Sequence, residues 1–128
     1  MLACIEPRLA FAIPTVPLVS IPDLVLEWKP LDRVARKLMQ RTERGLVDFR
    51  HLMAVSSALS YTPVIDKRRL MIVGAVGDRI APPKHARLLW EHWDEPRLHW
   101  FAGGHLLHVK RRSYLRDIRN FLTGLAFL

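Results

Sequence analysis

"RRLMIVGAVGDRIAPP" spans residues 68–83, and its reading decides the fold. From Leu70 to Val76 no position is polar. A strand with one wet face alternates apolar and polar residues, whereas a strand covered on both faces has no polar side to show. Arg68–Val76 is therefore predicted as a central parallel strand. Gly77 to Pro82 then forms a loop, and Pro83 suits the first turn of a helix. Ala86, Leu89, Trp90 and Trp93 recur at i, i+3, i+4 and i+7, the spacing of one helical face. "DEPR" ends that helix, and "RLHWFA" (Arg97–Ala102) reads as a second strand. After "GGHLLH" a last helix places Tyr114, Leu115, Ile118, Phe121, Leu122 and Leu125 inside and Arg112, Arg116 and Arg119 outside. Strand, helix, strand, helix in this order is a βαβ unit with a parallel sheet.

Upstream, "LAFAI" (Leu9–Ile13) reads as a short buried strand stopped by Pro14. Pro14, Pro17, Pro22 and Pro30 mark residues 14–30 as mostly loop, with one helical turn around Asp23–Trp28. Leu31, Val34, Ala35, Leu38 and Met39 form an amphipathic stripe that Gly45 interrupts. A helix resumes over "VDFRHLMAVSSALS" with Phe49, Leu52, Met53, Ser56 and Leu59 on one face, so Ser56 and Ser57 are expected mid-helix. Asp48 sits where a helix N-terminus favours negative charge. The expected fold class is α/β, with three parallel strands flanked by helices. It divides into residues 1–22 with the first strand, a helical insertion over 23–66, and the βαβα unit over 67–128.

Bulk properties narrow the function classes. The 128 residues are 50% hydrophobic and 25% charged, which fits one globular domain rather than a disordered chain. No apolar run is long enough for a membrane span. The apolar N-terminus lacks a basic start and is interrupted by Glu6, Pro7 and Arg8, so it does not read as a signal peptide. Cys4 is the one cysteine, so no intrachain disulfide forms, in keeping with a reducing, cytoplasmic compartment. The net charge is +8, and residues 67–128 carry 12 Lys/Arg against 5 Asp/Glu. A basic half invites a nucleic-acid reading. The basic residues are spread over several elements, however, and the cluster Lys110-Arg111-Arg112 opens a helix. A solvated basic face is the simpler reading.

Ligands of open α/β sheets gather beyond the carboxyl ends of the strands. Asp78 follows one predicted strand and His105 the next. If the strands are parallel neighbours, both residues project from one rim. There a carboxylate can hold the imidazole through Nδ1–H, leaving Nε2 free to take a proton. Imidazole suits the task because its ordinary pKa of about 6.5 lies near working pH. Gly103 and Gly104 allow the sharp turn that brings His105 back over the sheet edge, and Gly77 has a similar part before Asp78.

Competing readings stand beside these. Asp78 could cap the helix near Pro82. His108, three residues after His105, is a rival for the working ring. His99, His105, His108 and Asp78 include zinc-ligand types, but His99 lies inside a strand and the others beyond it, so no metal or cofactor is expected. Trp90, Trp93 and Trp100 read as packing residues, Cys4 as a small buried residue, and Arg79 and Lys84 as solvated charges or contacts to an acidic substrate.

The segment Gly74-Ala75-Val76-Gly77-Asp78-Arg79-Ile80-Ala81-Pro82, followed by Gly103-Gly104-His105 and a helix closing on Phe121-Leu122, resembles the C-terminal part of an α/β-hydrolase. The likeness covers about residues 67–122. It implies a partial α/β-hydrolase fold, with the 23–66 helices in the place of a cap. It also implies a serine-hydrolase triad with Asp78 as acid and His105 as base, acting on an ester, amide or related carbonyl substrate. The chain departs from the family at the nucleophile: it contains no G-x-S-x-G. Ser20, Ser56, Ser57, Ser60 and Ser113 follow no predicted strand in a glycine-flanked turn. The nucleophile is thus expected before residue 1, and the 128 residues alone are expected to lack turnover. The alternative is a non-catalytic module, a homo-oligomer or complemented fragment, that pairs through the open edge of the first strand.

Overall fold

The computed structural model describes residues 1–40 and 44–128, without the side chains of Pro30 and Leu38. Two strands form a parallel sheet, β1 (Met71–Ala75) and β2 (Arg97–Phe101), in register from Met71 opposite Arg97 to Ala75 opposite Phe101. Five helices accompany them among the described residues: α1 (Ile21–Glu27), α2 (Lys29–Met39), α3 (Gly45–Ala54), α4 (Pro83–His92) and α5 (Arg111–Gly124). The architecture is mixed α/β around a small parallel sheet. No described helix is long and apolar enough to cross a membrane.

The apolar run that announced β1 is buried along its whole length. Side chains alternate across a strand, and here the two faces have separate cores. Leu70 and Ile72 pack with Ala86, Leu89 and Trp93 on the α4 side. Met71, Val73 and Ala75 pack with Phe101, Tyr114 and Phe121 on the α5 side. Met71, Ile72 and Val73 are fully buried, and each such side chain contributes roughly 1.5–3 kcal/mol. Gly74 is the exception that permits this packing: a Cβ there would lie 2.3 Å from the Trp100 ring.

The first predicted strand needs correction in place and kind. The pairing segment is 12–16 rather than 9–13, and it joins β1 through two isolated parallel bridges, Ala12 to Leu70 and Thr15 to Val73. The amide of Ala12 donates to Arg69 O at 2.9 Å, and the amides of Met71 and Val73 donate to the carbonyls of Ala12 and Pro14 at 3.0 Å. Pro14 interrupts the ladder without ending it, because its carbonyl still accepts. The sheet therefore has two full strands and a bridged third segment on the β1 side.

The helical insertion also differs from expectation. The single turn near Asp23 is a seven-residue helix, started by Ser20, whose hydroxyl accepts from the Asp23 amide. Of the expected α2 stripe Ala35 is buried, whereas Leu31 and Val34 are exposed; the side chain of Leu38 lies outside the described residues. α3 stops at Ala54, five residues before Leu59. Ser56 and Ser57 are consequently not mid-helix. Ser57 starts a short 3-10 turn at residues 58–60, and its hydroxyl donates to Val19 O at 2.6 Å, which fastens the returning chain to the loop before α1. On α5, Leu115 is exposed rather than inside, because the helix buries the narrower Tyr114–Phe121 line.

Candidate active site

Asp78 and His105 are 27 residues apart in sequence and meet at the carboxyl ends of β1 and β2. The parallel register leaves Ala75 and Phe101 level, so the chains leaving the sheet emerge side by side. They stay tied beyond it: Val76 N donates to Phe101 O at 3.1 Å, and Gly77 N donates to Gly103 O at 2.8 Å. A Cβ on Gly77 would lie 2.8 Å from that same Gly103 oxygen. The close approach is therefore available only to glycine.

Of the histidine loop's two glycines, Gly103 carries the conformational demand. Its φ is +131°, and a Cβ there would meet Leu107 O at 2.2 Å. Gly104 is not in the left-handed region; its amide donates to Leu107 O at 2.9 Å and closes the loop. Val109 N donates to Ala102 O at 2.9 Å, so residues 102–109 form a tight excursion carrying His105 back toward Asp78.

The Asp78 side chain is fully buried and has three donors. Oδ1 accepts from the amides of Ile80 and Ala81, both at 2.8 Å, and Oδ2 contacts His105 Nδ1 at 2.9 Å. A buried carboxylate needs such satisfaction. Asp78 does not cap α4, whose N-cap is Pro82 with no side-chain bond. An ionised carboxylate only accepts, so Nδ1 of His105 is the protonated nitrogen and Nε2 of the neutral ring is the acceptor. The His105 side chain is 33% exposed, and Nε2 makes no hydrogen bond with the described residues. The arrangement is an imidazole held through Nδ1 by a buried carboxylate, with no described partner at Nε2.

The other histidines are occupied otherwise. His108 lies against Phe101 with ring centroids 4.6 Å apart. Its Nδ1 is 3.0 Å from the Tyr114 hydroxyl and its Nε2 3.4 Å from His105 O. Both nitrogens are spent on bracing the loop. His99 binds Asp117 at 3.0 Å, and Asp117 also pairs with Arg97, which fixes β2 to α5. Among the described residues no three His, Cys, Asp or Glu side chains are placed to share a metal ion.

Two features were not legible in the sequence. A cleft of about 600 Å³ runs between α1 and the Asp78 loop, lined by Leu24, Glu27, Trp28 and Lys29 on one side and Asp78, Arg79, Ile80 and Pro82 on the other. Lys84 is not a free charge beside it, since it pairs with Glu27 and ties α4 to α1. The other feature is His85, 0% exposed, with both ring nitrogens unpaired among the described residues. Burial pushes its pKa down, and Lys84 adds to the effect. The tryptophans are packing residues as expected: Trp93 is buried, and Trp90 Nε1 donates to Pro96 O at 2.8 Å. The hydroxyls of Ser20, Ser56 and Ser57 donate to Asp23 Oδ2, Met53 O and Val19 O, and none of them reaches His105.

No family model matches the chain, and no solved structure matches it. Two curated proteins of Mycobacterium tuberculosis are similar along its whole length. They are Uncharacterized protein MT2702 of strain CDC 1551 and Uncharacterized protein Rv2627c of strain H37Rv, each 30% identical over 134 aligned residues. The alignment takes in 100% of this chain and 30% of each relative. The chain thus spans about 30% of the length of the curated relatives it matches.

Proposed function

We propose that Asp78 and His105 are the orienting acid and the general base of a serine-hydrolase site of α/β-hydrolase type, which cleaves an ester, amide or related carbonyl bond. The 2.9 Å contact between Asp78 Oδ2 and His105 Nδ1 across the ends of two parallel strands carries this reading. Asp78 holds the ring in the Nδ1–H tautomer. His105 Nε2 takes the proton of a hydroxyl as its oxygen attacks the carbonyl carbon, and Asp78 stabilises the imidazolium that results. The same proton passes to the leaving group as the carbonyl re-forms, giving an acyl-enzyme. Water repeats the cycle and releases the acid. Acid–base assistance of this kind contributes about 10²–10⁴-fold. A cleft walled by Leu24 and Trp28 adjoins the Asp78 loop, without His105 in its lining.

The nucleophile is assigned to polypeptide beyond these 128 residues. No described serine hydroxyl bonds to His105, and relatives of which this chain covers 30% have ample length for such a segment. Labelling with a fluorophosphonate probe tests the reading. The intact M. tuberculosis relatives are expected to be labelled on a serine outside the matched segment. The 128-residue chain alone is expected to take no label and to turn over no p-nitrophenyl ester. Unlabelled relatives, or ester turnover by the chain alone that His105→Ala abolishes, would count against the assignment.

A further inference from the structure

We propose that His85 is an acid-sensitive latch: a proton on its ring releases the first turn of α4 from α1 and loosens the Asp78 loop, while β1 and β2 stay folded. The claim does not depend on the hydrolase reading, and the ring is enclosed by the described residues themselves. His85 is the third residue of α4 and is 0% exposed, with neither ring nitrogen bonded to a described residue. An imidazolium has two N–H donors to satisfy as well as a charge. At this position the charge is opposed three times over. The interior gives it no water. Lys84, its neighbour in the chain, carries a like charge. The N-terminus of α4 presents the positive end of the helix dipole.

The carboxylates that could answer the charge are already engaged. Three act on the ring from a distance, Glu27 and Asp23 from α1 and Asp78 from the loop before α4. Glu27 pairs with Lys84. Asp23 accepts from Arg50 at 2.9 Å and from the Ser20 hydroxyl at 2.7 Å. Asp78 Oδ1 accepts from Ile80 and Ala81, and Oδ2 meets His105. A charged His85 therefore stays unpaired in the interior or pulls a carboxylate out of one of these bonds. Both routes act on one joint. Pro82 is the N-cap of α4 and ends the Asp78 loop, and His85 N donates to its carbonyl at 2.9 Å. Movement of the first turn thus passes straight into residues 78–82. Farther along the helix, Leu89 and Trp93 pack with Leu70 and Ile72, so the rest of α4 keeps its place on the sheet.

The sign follows from the two states of the ring. In the closed fold its pKa is lowered, by burial first and Lys84 second. Once opened, the ring regains an ordinary value of about 6.5. Below that pH opening takes up a proton and grows by up to about tenfold per pH unit, until the closed ring also protonates.

Amide hydrogen exchange of the chain from neutral to mildly acidic pH, corrected for the intrinsic pH dependence of exchange, tests the proposal. The reporters are the amides of Ile80 and Ala81, set against those of Met71 and Val73 in β1. Ile80 and Ala81 should be less protected than β1 throughout, and their protection should fall by up to about tenfold per unit below about pH 6.5. In His85→Leu and His85→Gln, which cannot titrate at this position, the protection of Ile80 and Ala81 should be level over the same range. Both variants keep His105, so the ring that touches Asp78 cannot account for the difference. Three results overturn the latch: loop protection that is level in the wild type, that falls equally in the two variants, or that matches β1 as global unfolding requires.

Discussion

Gly103 and His85 show how much one position can hold. Gly103→Ala combines a backbone at φ +131° with a Cβ 2.2 Å from Leu107 O. A loss of at least about 2 kcal/mol is expected on thermal or urea unfolding. His105 should also lose its contact with Asp78. His85 acts in the opposite sense. Its pKa is lowered in the folded chain by burial, so the unfolded state binds the proton more readily. Stability from this residue is complete above the unfolded pKa of about 6.5 and declines as pH falls below it, levelling off once the folded ring also protonates. His85→Leu removes two buried unpaired nitrogens. It should make urea midpoints less dependent on pH between neutral and mildly acidic conditions, and raise stability by about 1 kcal/mol. A steeper acid decline in the variant would refute this account.

Elements differ in how plainly their sequences announce them. β1 was legible because burial on both faces forces an unbroken apolar run, and α4 and α5 because one covered face imposes a helical period. The segment at 12–16 is obscured because "LAFAI" is apolar for another reason: Leu9 and Ala12 serve the α4-side core, whereas Phe11 and Ile13 serve the other. The pairing itself rests on carbonyls that even Pro14 can offer. α3 ends before its apolar stripe does: the stripe continues past Ala54, yet tertiary bonding of Ser57 to Val19 O turns the chain sooner. Contacts between distant elements, such as Lys84 with Glu27 or His99 with Asp117, leave no local signal. The two strands are locked by the Gly74–Trp100 fit. Gly74→Ala should therefore cost about 1–3 kcal/mol through overpacking, read as a lower urea midpoint at unchanged m-value; an unperturbed midpoint would show that Trp100 can move aside.

At the scale of the molecule, two strand ends and two glycine crossings bring an acid and an imidazole together on one rim. Of the candidate site, Asp78 and His105 are readable from position after strands; packing against Phe101 and Tyr114 holds His108, and His105 is the ring in contact with Asp78. The cleft wall came from α1, whose helical length the prolines obscured. Leu106 and Leu107, 84% and 78% exposed, flank His105. The ring is one-third exposed, and its described side-chain hydrogen bond is to Asp78. Imidazole ¹⁵N and ¹H chemical shifts of the intact chain measure that orientation most directly. The account predicts that His105 carries its proton on Nδ1, strongly downfield and slow to exchange. Both features should vanish in Asp78→Asn while the shifts of His85 and His99 stay in place. An Nε2–H tautomer, or a His105 signal indifferent to Asp78→Asn, would contradict it.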